Sequence, residues 1–529
     1  MTSKLDIKTR GGMPRGGIPN QAPPLVDFNP FDAWPALGEA LHREGGGWAE
    51  ERVREFGTKV GSAEAIEHSR RALRNIPQLV THDRYGNRID HVESDPSWHW
   101  MLRLGIENGV HSLPWRDPQP GSQVAHTAMF LLLNGLDSAP CCPIGVNYAA
   151  VPMLRQEPAL ADEWEERVTS TEYDGYAQGG MAMTEKQGGS DLRANTTRAE
   201  PNGDGTYSIT GHKWFCTIVM CDFFFTLAQA PGGLSCFLML RDENFRVQRL
   251  KDKLGGRALA SSEVEFHGCR AWMIGEEGRG VATIAAQVNY TRLGTITGTS
   301  GVLRRAVGEA IHHARHRHAF GRALADQPLM QNVLADLALE SEAATVTAMR
   351  LARAYEDPAQ GAFRRLATAV EKYWVTKRAA PAAVEALECL GGNGFVEESM
   401  MPQLYRDIGL NSVWEGAGNV AALDVLRAAG KEPEALPAFI AECNLAAGAN
   451  AHFDAHMAQL ERDPDQWNAR RVVEDLAVAL QASLLLQHAP PAVADAFCAT
   501  RLGRDEGHAY GTLPTGTDTE GIVDRAWRQ

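Results

Sequence analysis

The sequence predicts an α+β protein in which a β-barrel domain lies between helical regions. Short strand-like segments follow one another at roughly ten-residue spacing up to about residue 273, with Gly and Asp between them, which is typical of an antiparallel barrel or sandwich. Helical periodicity dominates on both sides of this block. We therefore predict four regions: an N-terminal arm and helical domain (1–178), an antiparallel β-barrel domain (179–275), a C-terminal helical bundle (276–430) and a helical extension (431–529).

The N-terminal region combines an arm with helices. Residues 1–30 carry Gly-Gly and Pro-Pro pairs, which indicate an extended arm rather than a packed element. Helical signals dominate from about residue 36 to 175. Within them, 63–73 is rich in helix formers, and 122–133 is apolar enough to predict a buried helix.

The strand-like block contains a tight turn at 202–205 (Asn-Gly-Asp-Gly), placed between strands at 195–199 and 206–210. Four further strands are predicted at 223–228, 234–240, 245–250 and 262–266. After Gly280 the pattern becomes helical again, and few breaks interrupt it, which indicates a bundle. Its long helices are predicted at about 281–317, 327–356, 361–390 and 416–429.

The composition is that of a globular protein with a large core. Of 529 residues, 44% are hydrophobic and 22% charged, which argues against a wholly disordered, collagen-like or disulfide-stapled chain. The net charge of −14 disfavours nucleic acid and anionic lipid as partners. Nine Cys without a C-x-x-C pair indicate a reducing compartment. With no secretory signal at the N-terminus and no apolar run of membrane-spanning length, we expect a cytoplasmic protein.

Two segments of the β block could bind a planar or phosphorylated ligand. In 183–191 (MTEKQGGSD), Gly residues allow close backbone approach and hydroxyls can donate hydrogen bonds, although a polar turn between domains gives the same pattern. The segment matches neither common nucleotide-binding fingerprint. In 211–217 (GHKWFCT), Trp214 and Phe215 could stack on a flat ring and Thr217 offers a hydroxyl, or the aromatics could belong to a core strand.

A third segment, 315–321 (RHRHAFG), is basic. Arg317 could contact a diphosphate through two nitrogens, and Gln327 follows it. His312 and His316 have the i,i+4 spacing of a metal pair. Because no Cys or carboxylate nearby completes a zinc site, we predict no metal and favour a solvated or phosphate-facing basic helix end.

The last two segments follow helices. In 388–394 (ECLGGNG) a Gly cluster exposes backbone amides, or simply caps the helix. In 413–419 (VWEGAGN) Glu415 is a lone carboxylate between Trp414 and Gly416. Burial there raises a carboxyl pKa toward the range useful to a general base, whereas the alternative is an acid at a helix N-terminus.

Together these segments resemble the acyl-CoA dehydrogenase superfamily, and most closely its AidB-like (alkylation-response) subgroup. The resemblance spans nearly the whole chain from residue 44. It is carried by 183–191 and 211–215, and by 232–237 (GGLSCF), 250–255 (LKDKLG) and 414–419 (WEGAGN).

The resemblance implies a non-covalent FAD held partly across a subunit interface of a homotetramer, a dimer of dimers. By this resemblance, the flavin ring and ribityl chain are lined by Met183, Thr184, Gly189 and Ser190, and Phe215 and Thr217 lie beside the flavin. The residues that contact the FAD of a neighbouring subunit are Arg317, Phe320, Gln327, Gly391 and Gly392. Further cofactor candidates are Trp414, Gly416 and Asn419; Arg292 and Ser190 are substrate candidates.

The implied reaction is α,β-dehydrogenation of an acyl thioester, with Glu415 as the base and flavin N5 as hydride acceptor. The resemblance identifies no electron acceptor. Two departures stand out: Ala417 replaces the usual Thr, and Asn419 replaces a common Gln. The first removes a hydroxyl near the cofactor, and neither removes the base.

Two alternatives stay open. One is a DNA-associated or alkylation-response flavoprotein, because the subgroup carries a C-terminal extension proposed to bind DNA. Here residues 430–529 hold 8 Lys+Arg against 15 Asp+Glu, a net charge of −7, which disfavours contacts with many phosphates. The other is a flavin-dependent oxygenase or oxidase that acts on a non-CoA substrate.

Overall fold

The computed structural model describes residues 20–460, 465–503 and 507–528. The N-terminal region is built mainly of helices that pack around α6, whose residues are all buried. Its helices are α1 (Pro35–Arg43), α2 (Glu50–Val60), α3 (Ala63–Arg74), α4 (Pro96–Glu107), α5 (Leu113–Arg116), α6 (Ser122–Leu136), α7 (Cys141–Leu154) and α8 (Pro158–Val168). The helices predicted at 63–73 and 122–133 are confirmed.

Two features of this region differ from prediction. A hairpin of β1 (Gln78–His82) and β2 (Arg88–Glu93) interrupts the helices, where Gly86 at φ +85° supplies the turn. The arm is packed where it is described, because Leu25 is buried in the helical core and Val26 and Phe28 pack against that core. The part of the predicted arm before residue 20 lies outside the described residues.

A closed β-barrel follows. Its strands are β3 (Gly179–Ala182), β4 (Arg198–Pro201), β5 (Tyr207–Thr217), β6 (Phe223–Ala230), β7 (Gly233–Leu240), β8 (Phe245–Leu250) and β9 (Ser261–Ile274). The ring runs β6-β4-β5-β9-β7 and closes where β7 pairs with β6; β3 adds to β6 and β8 to β9. The barrel and the turn at 202–205 are confirmed, but β3–β6 and β4–β6 pair in parallel, so the sheet is not wholly antiparallel.

The run of three Phe residues in β6 explains how the barrel joins the helices. Successive side chains of a strand point to opposite faces. Phe224 therefore lies inside the barrel, whereas Phe223 and Phe225 pack outward with Trp164 of α8. Both faces of β6 are buried, which accounts for its continuous apolar sequence.

The bundle consists of α9 (Gly280–His316), α10 (Pro328–Glu356), α11 (Gly361–Cys389), α12 (Met401–Ile408) and α13 (Gly418–Lys431), with a short ladder of β10 (His318–Ala319) and β11 (Arg322–Ala323) after α9. The four predicted long helices are confirmed to within about two residues, the usual scatter of helix ends. The short α12 was not predicted.

The C-terminal extension folds back onto the bundle. It comprises α14 (Ala435–Cys443), α15 (Ala451–Gln459), α16 (Ala469–His488), α17 (Pro491–Arg501) and α18 (Thr519–Ala526). After α18, the ring of Trp527 is buried against Phe28 and Trp34. A Cβ at Gly308 of α9 would lie 2.4 Å from that ring, so only Gly permits this contact.

Within the described ranges, no helix combines the length and the apolar character that a membrane crossing requires. The region boundaries at 178, 275 and 430 and the cytoplasmic location stay predictions.

Candidate functional site

Glu415 lies in the short segment between α12 and α13, in an uncommon backbone conformation. Its φ is +56° and that of Gly416 is +100°. A non-glycine residue in this region costs about 1–3 kcal/mol and is typical of functional sites. The N-cap of α13 is Ala417, and its first turn holds no acid. The alternative of a helix N-terminal acid is therefore wrong.

Two buried side chains fix the Glu415–Gly416 backbone, and a third holds one of the two in place. Arg292 of α9 donates through Nε to the Glu415 carbonyl oxygen at 3.1 Å, and Lys372 of α11 donates to the Gly416 carbonyl oxygen at 2.5 Å. Asp424 of α13 accepts from Arg292 at 2.5 Å and from Arg365 at 2.8 Å. The strained segment is thus tied to three helices of the bundle.

The Glu415 carboxyl group is set up to hold a proton more tightly than an exposed acid. Burial raises its pKa above the ordinary 4.5, and the Thr291 hydroxyl, Arg292 and Lys372 offset part of this rise. Its Oε2 is buried and has no hydrogen-bond partner among the described residues. A carboxyl in this environment suits general-base chemistry.

A buried ion pair fixes the segment after β3. Glu185 and Lys213 lie 3.0 Å apart with both side chains fully buried. Burial raises the pKa of Glu185, but Lys213 and hydrogen bonds from Thr196 and Thr197 outweigh it and hold that pKa at about 2. Burial lowers the pKa of Lys213 to about 8.

The candidate residues of this segment lie around that pair. The Met183 carbonyl oxygen accepts from Asn195 at 3.0 Å, and the Thr184 carbonyl oxygen accepts from the Trp214 amide at 2.8 Å. A Cβ at Gly189 would lie 2.5 Å from the Thr184 hydroxyl oxygen, so a larger residue would have to displace that side chain. Ser190 is exposed. The segment is the polar turn that the alternative interpretation predicted. Buried hydrogen bonds hold this turn in place, and it carries the Thr184 and Ser190 hydroxyls.

Trp214 and Phe215 do not belong to the barrel core. Phe215 is 49% exposed, and the Lys251 ammonium lies 3.5 Å from the centre of the Trp214 ring and 4.6 Å from that of Phe215. Thr217 Oγ1 lies 3.3 Å from Ser261 Oγ. The core-strand alternative is therefore wrong for both aromatic rings.

A partly buried lysine, Lys253, lies in the loop between β8 and β9. Lys253 donates to Ser261 Oγ at 2.9 Å and to the Leu259 carbonyl oxygen at 2.7 Å. Burial raises the pKa of the Cys142 thiol to about 12, and the Lys253 charge lowers this pKa whereas the Glu415 charge raises it. Burial lowers the pKa of Lys253 to about 8.

A second group of candidates lies at the surface. Arg317 donates to the Asn20 carbonyl oxygen, and Gln327 to the Ala319 carbonyl oxygen at 3.0 Å. Phe320, at φ +52°, is 97% exposed. Gly391 and Gly392 are exposed, and a Cβ at either would meet no atom within 4 Å.

The arm connects these two surface segments. Asn20 pairs with the His318 backbone, and Gln21 accepts from Asn393 at 3.0 Å. Gly391, at φ +58°, follows the end of α11 and caps it, as the simpler alternative predicted.

The His312 and His316 rings each lie within hydrogen-bond distance of a backbone carbonyl oxygen. His312 Nε2 lies 2.9 Å from the Pro23 carbonyl oxygen, and His316 Nδ1 lies 2.8 Å from the His312 carbonyl oxygen. No three His, Cys, Asp or Glu side chains of the described residues group as metal ligands do.

The residues around Glu415 fit a flavin nucleotide. The buried Trp414 Nε1 and Glu415 Oε2 have no partner in the described chain, and an unpaired buried polar atom costs about 1–3 kcal/mol. The first turn of α13 has no side-chain cap, and Lys377 and Arg470 adjoin Gly418 there. Two cations at a helix N-terminus suit a diphosphate. Asn419 is exposed at the same end.

The candidates thus form three groups: one around Glu415, one at the barrel entrance and one at the surface. Arg292 binds Asp424 and the backbone, which makes it a positioning residue in this state. The sequence patterns assign no role to Lys372, Asp424, Lys253 or Cys142. One signal was present, since Glu371 and Lys372 interrupt an otherwise apolar stretch of α11.

Three family models match the chain in the order of its regions. One described as "Adaptive response protein AidB N-terminal domain" matches residues 20–175. "Acyl-CoA dehydrogenase, middle domain" matches 180–269, and "Acyl-CoA dehydrogenase, C-terminal domain" matches 278–430.

Individual proteins are similar over most of their length. AidB of Escherichia coli (strain K12) is 39% identical over 91% of this chain and 94% of its own. Acyl-CoA dehydrogenase family member 11 of Caenorhabditis elegans is 32% identical over 79% of this chain and 73% of its own. The crystal structure of C. elegans ACDH-11 in complex with C11-CoA superposes with a TM-score of 0.85 at 26% identity, covering 100% of this chain and 95% of that one.

Proposed function

The chain belongs to the acyl-CoA dehydrogenase family, in its AidB-like branch, and we propose that it removes the α- and β-hydrogens of an acyl-CoA with Glu415 as the base. Acyl-CoA dehydrogenases are FAD-dependent oxidoreductases. The expected cofactor and enzyme class are therefore confirmed, whereas the base and the substrate are proposals.

The proposed reaction divides between the chain and its cofactor. Glu415 takes the pro-R α-proton of the thioester, and Arg292 and Lys372 hold the backbone that aims it. FAD, when bound, accepts the β-hydride at N5. Met183, Thr184, Gly189 and Ser190 face the flavin in this proposal, with Phe215 and Thr217 at its flank. Ser190 and Arg292 are also the proposed substrate contacts.

The Glu415 carboxyl group is the observation that carries the proposal. Its backbone is strained and clamped, its pKa is raised by burial, and its Oε2 has no partner among the described residues. Because Oε2 has no partner among the described residues, it is available to accept a proton from a bound substrate.

The test is an anaerobic titration of the holoenzyme with acyl-CoAs of increasing chain length. We expect one or more of them to bleach the visible flavin absorbance. Glu415→Gln is expected to slow this reduction by about 10²–10⁴-fold, the usual contribution of a general base. The matched control Glu434→Gln, at an exposed position before α14, is expected to behave like the parent. Bleaching by no acyl-CoA, or equal rates in parent and Glu415→Gln, would contradict the proposal.

Two features of the extension favour this proposal over DNA binding. Arg501 is engaged by Asp336 and Glu340, and Arg525 by Glu39 and Glu342. Guanidinium groups held by carboxylates are not available to neutralise phosphates. A gel shift at low salt that showed binding to duplex DNA would favour the alternative.

We also propose that the chain forms a homotetramer in which FAD lies near subunit interfaces. Phe320 at 97% and Phe395 at 78% exposure are available for such a contact between subunits. Arg317, Gln327, Gly391 and Gly392 lie in these exposed segments.

A further inference from the structure

A cavity of about 360 Å³ is lined by none of the residues that hold Glu415 or the proposed flavin site, and the proposed reaction makes no use of it. Helix α3 forms one wall, and the other walls come from the loop between β8 and β9, the segment before α12, and α12 itself. Its size lies at the lower end of the range typical of small-molecule sites, about 300–1,000 Å³.

The cavity is strongly positive in a protein whose net charge is −14. Four guanidinium groups and one carboxylate line it, namely Arg70, Arg74, Arg257, Arg406 and Glu397. Glu397 accepts from Arg406 at 2.6 and 3.0 Å, which pairs one of the four cations. Arg257 lies 3.8 Å from the exposed Asp252, and the charges of Arg257 and Arg74 also lower the pKa of Glu397.

The two arginines of α3 have no such pairing. Within the described ranges, no carboxylate lies within 4.0 Å of Arg70 or Arg74, and Arg70 Nε is buried without a hydrogen-bond partner. Arg406 Nε is buried and unpaired as well. Buried donors are normally satisfied, and an anion in the cavity would supply the acceptor that these nitrogens lack.

The walls are rigid. Asp407, next to Arg406, accepts from the Gly256 amide at 2.7 Å and from Ser138 Oγ at 2.8 Å. A Cβ at Gly255 would lie 2.2 Å from the Arg406 carbonyl oxygen, so the loop that carries Arg257 packs directly on α12. The backbone segments that carry Arg257 and Arg406 therefore keep their places without a ligand, which lowers the entropic cost of binding.

We propose that this cavity binds a multiply charged phosphate compound, with a diphosphate group as the best-fitting unit. Guanidinium groups match phosphate oxygens through paired N–H donors, and an excess of three cations over carboxylates suits a ligand with two or more negative charges. The group could be free inorganic diphosphate or part of a nucleotide, since both present the same oxygens.

Isothermal titration calorimetry of the flavin-loaded enzyme tests the site with inorganic phosphate, inorganic diphosphate and ADP. We expect saturable binding, tighter for diphosphate than for phosphate. The double variant Arg70→Gln/Arg74→Gln is expected to weaken it at least about tenfold, because each charge-assisted hydrogen bond contributes about that factor. If ADP binds more tightly than diphosphate through the same arginines, the natural ligand is a nucleotide; otherwise it is the free anion.

The matched control is Arg71→Gln, an exposed arginine on the same helix that does not line the cavity. It changes the net charge of α3 by one without touching the site. Arg257→Gln, on a different wall, is a second cavity variant that keeps the test independent of the folding of α3. No saturable binding of any probe, or a loss in Arg71→Gln equal to that in Arg257→Gln, would overturn the proposal.

Discussion

The segment around Glu415 and the segments around Arg317 and Gly391 are predicted to serve the same flavin, yet they are built in opposite ways. The Glu415 backbone is held by buried side chains from α9, α11 and α13 of its own chain. Around Arg317, in contrast, Phe320 is 97% exposed and both Gly391 and Gly392 face open space.

The difference indicates which parts of the proposed site one subunit completes alone. Buried hydrogen bonds and ion pairs give the carboxyl group a fixed position before any ligand arrives. The exposed Phe320 ring and the exposed glycines are not held by such buried contacts, so we expect them to contact another molecule. We therefore expect variants in the first region to lose contacts within one subunit, and variants in the second region to lose contacts between subunits.

The largest effect on stability is expected from Asp424→Asn. This change leaves the guanidinium groups of Arg292 and Arg365 without their buried carboxylate, and breaking such a pair costs about 3–5 kcal/mol. Glu432→Gln removes a mostly exposed partner of the same Arg365 and is expected to cost less than about 1 kcal/mol. Urea unfolding of both variants measures the difference. Equal losses would mean that the Glu415 segment is not held from inside the chain.

A pH effect is expected from Lys372→Met. The Lys372 ammonium lowers the pKa of Glu415, against the larger rise that burial causes. Because only the carboxylate accepts the α-proton, the rate of flavin reduction rises as pH increases through this pKa. Removing Lys372 should therefore move the acidic limb of the pH–rate profile to higher pH. Lys431→Met, at the exposed end of α13, should leave the limb in place. A downward shift in Lys372→Met would contradict the electrostatic role.

The smallest effect is expected from Ala417→Thr, which supplies the hydroxyl that the family resemblance implies at this position. Ala417 is the N-cap of α13 and offers no side-chain acceptor. A Thr there should cap the helix and stabilise the apoprotein by about 1 kcal/mol. If the hydroxyl also contacts FAD, the Kd of FAD should fall by about two- to tenfold, the range of one neutral hydrogen bond. Ala417→Val has the same shape without the hydroxyl and should show neither gain; a gain in Val as large as in Thr would refute both effects.

The sequence predicted the order of elements well because their signals are local. Helical periodicity located α9, α10 and α11, and glycines marked the turn at 202–205. The β1–β2 hairpin was missed because it is short and flanked by helices. The packed arm was missed because its burial depends on α9 and Trp527, which are distant in sequence.

Residues of the candidate site could be predicted where they lie next to one another in the sequence. Glu415 and the 183–191 segment could be identified from neighbouring residues, but their supports could not. Lys372 and Asp424 act on Glu415 across helix–helix contacts, and the Lys213–Glu185 pair spans 28 positions of sequence. Such partners follow from packing, and no local pattern records them.

The claim that Glu415 of one subunit and Arg317 of another serve the same flavin is tested most directly by flavin reduction in mixed assemblies. Each mixed assembly contains subunits of two variants that are expected to be inactive on their own. Glu415→Gln and Arg317→Ala are co-expressed with different tags, and mixed assemblies are isolated by sequential affinity steps. If each site combines Glu415 of one subunit with Arg317 of another, a hybrid pair contains one intact site, and about half of the parental activity per pair should return. If both residues serve the same subunit's flavin, every hybrid site carries a defect, and acyl-CoA should reduce the hybrid no faster than either variant alone.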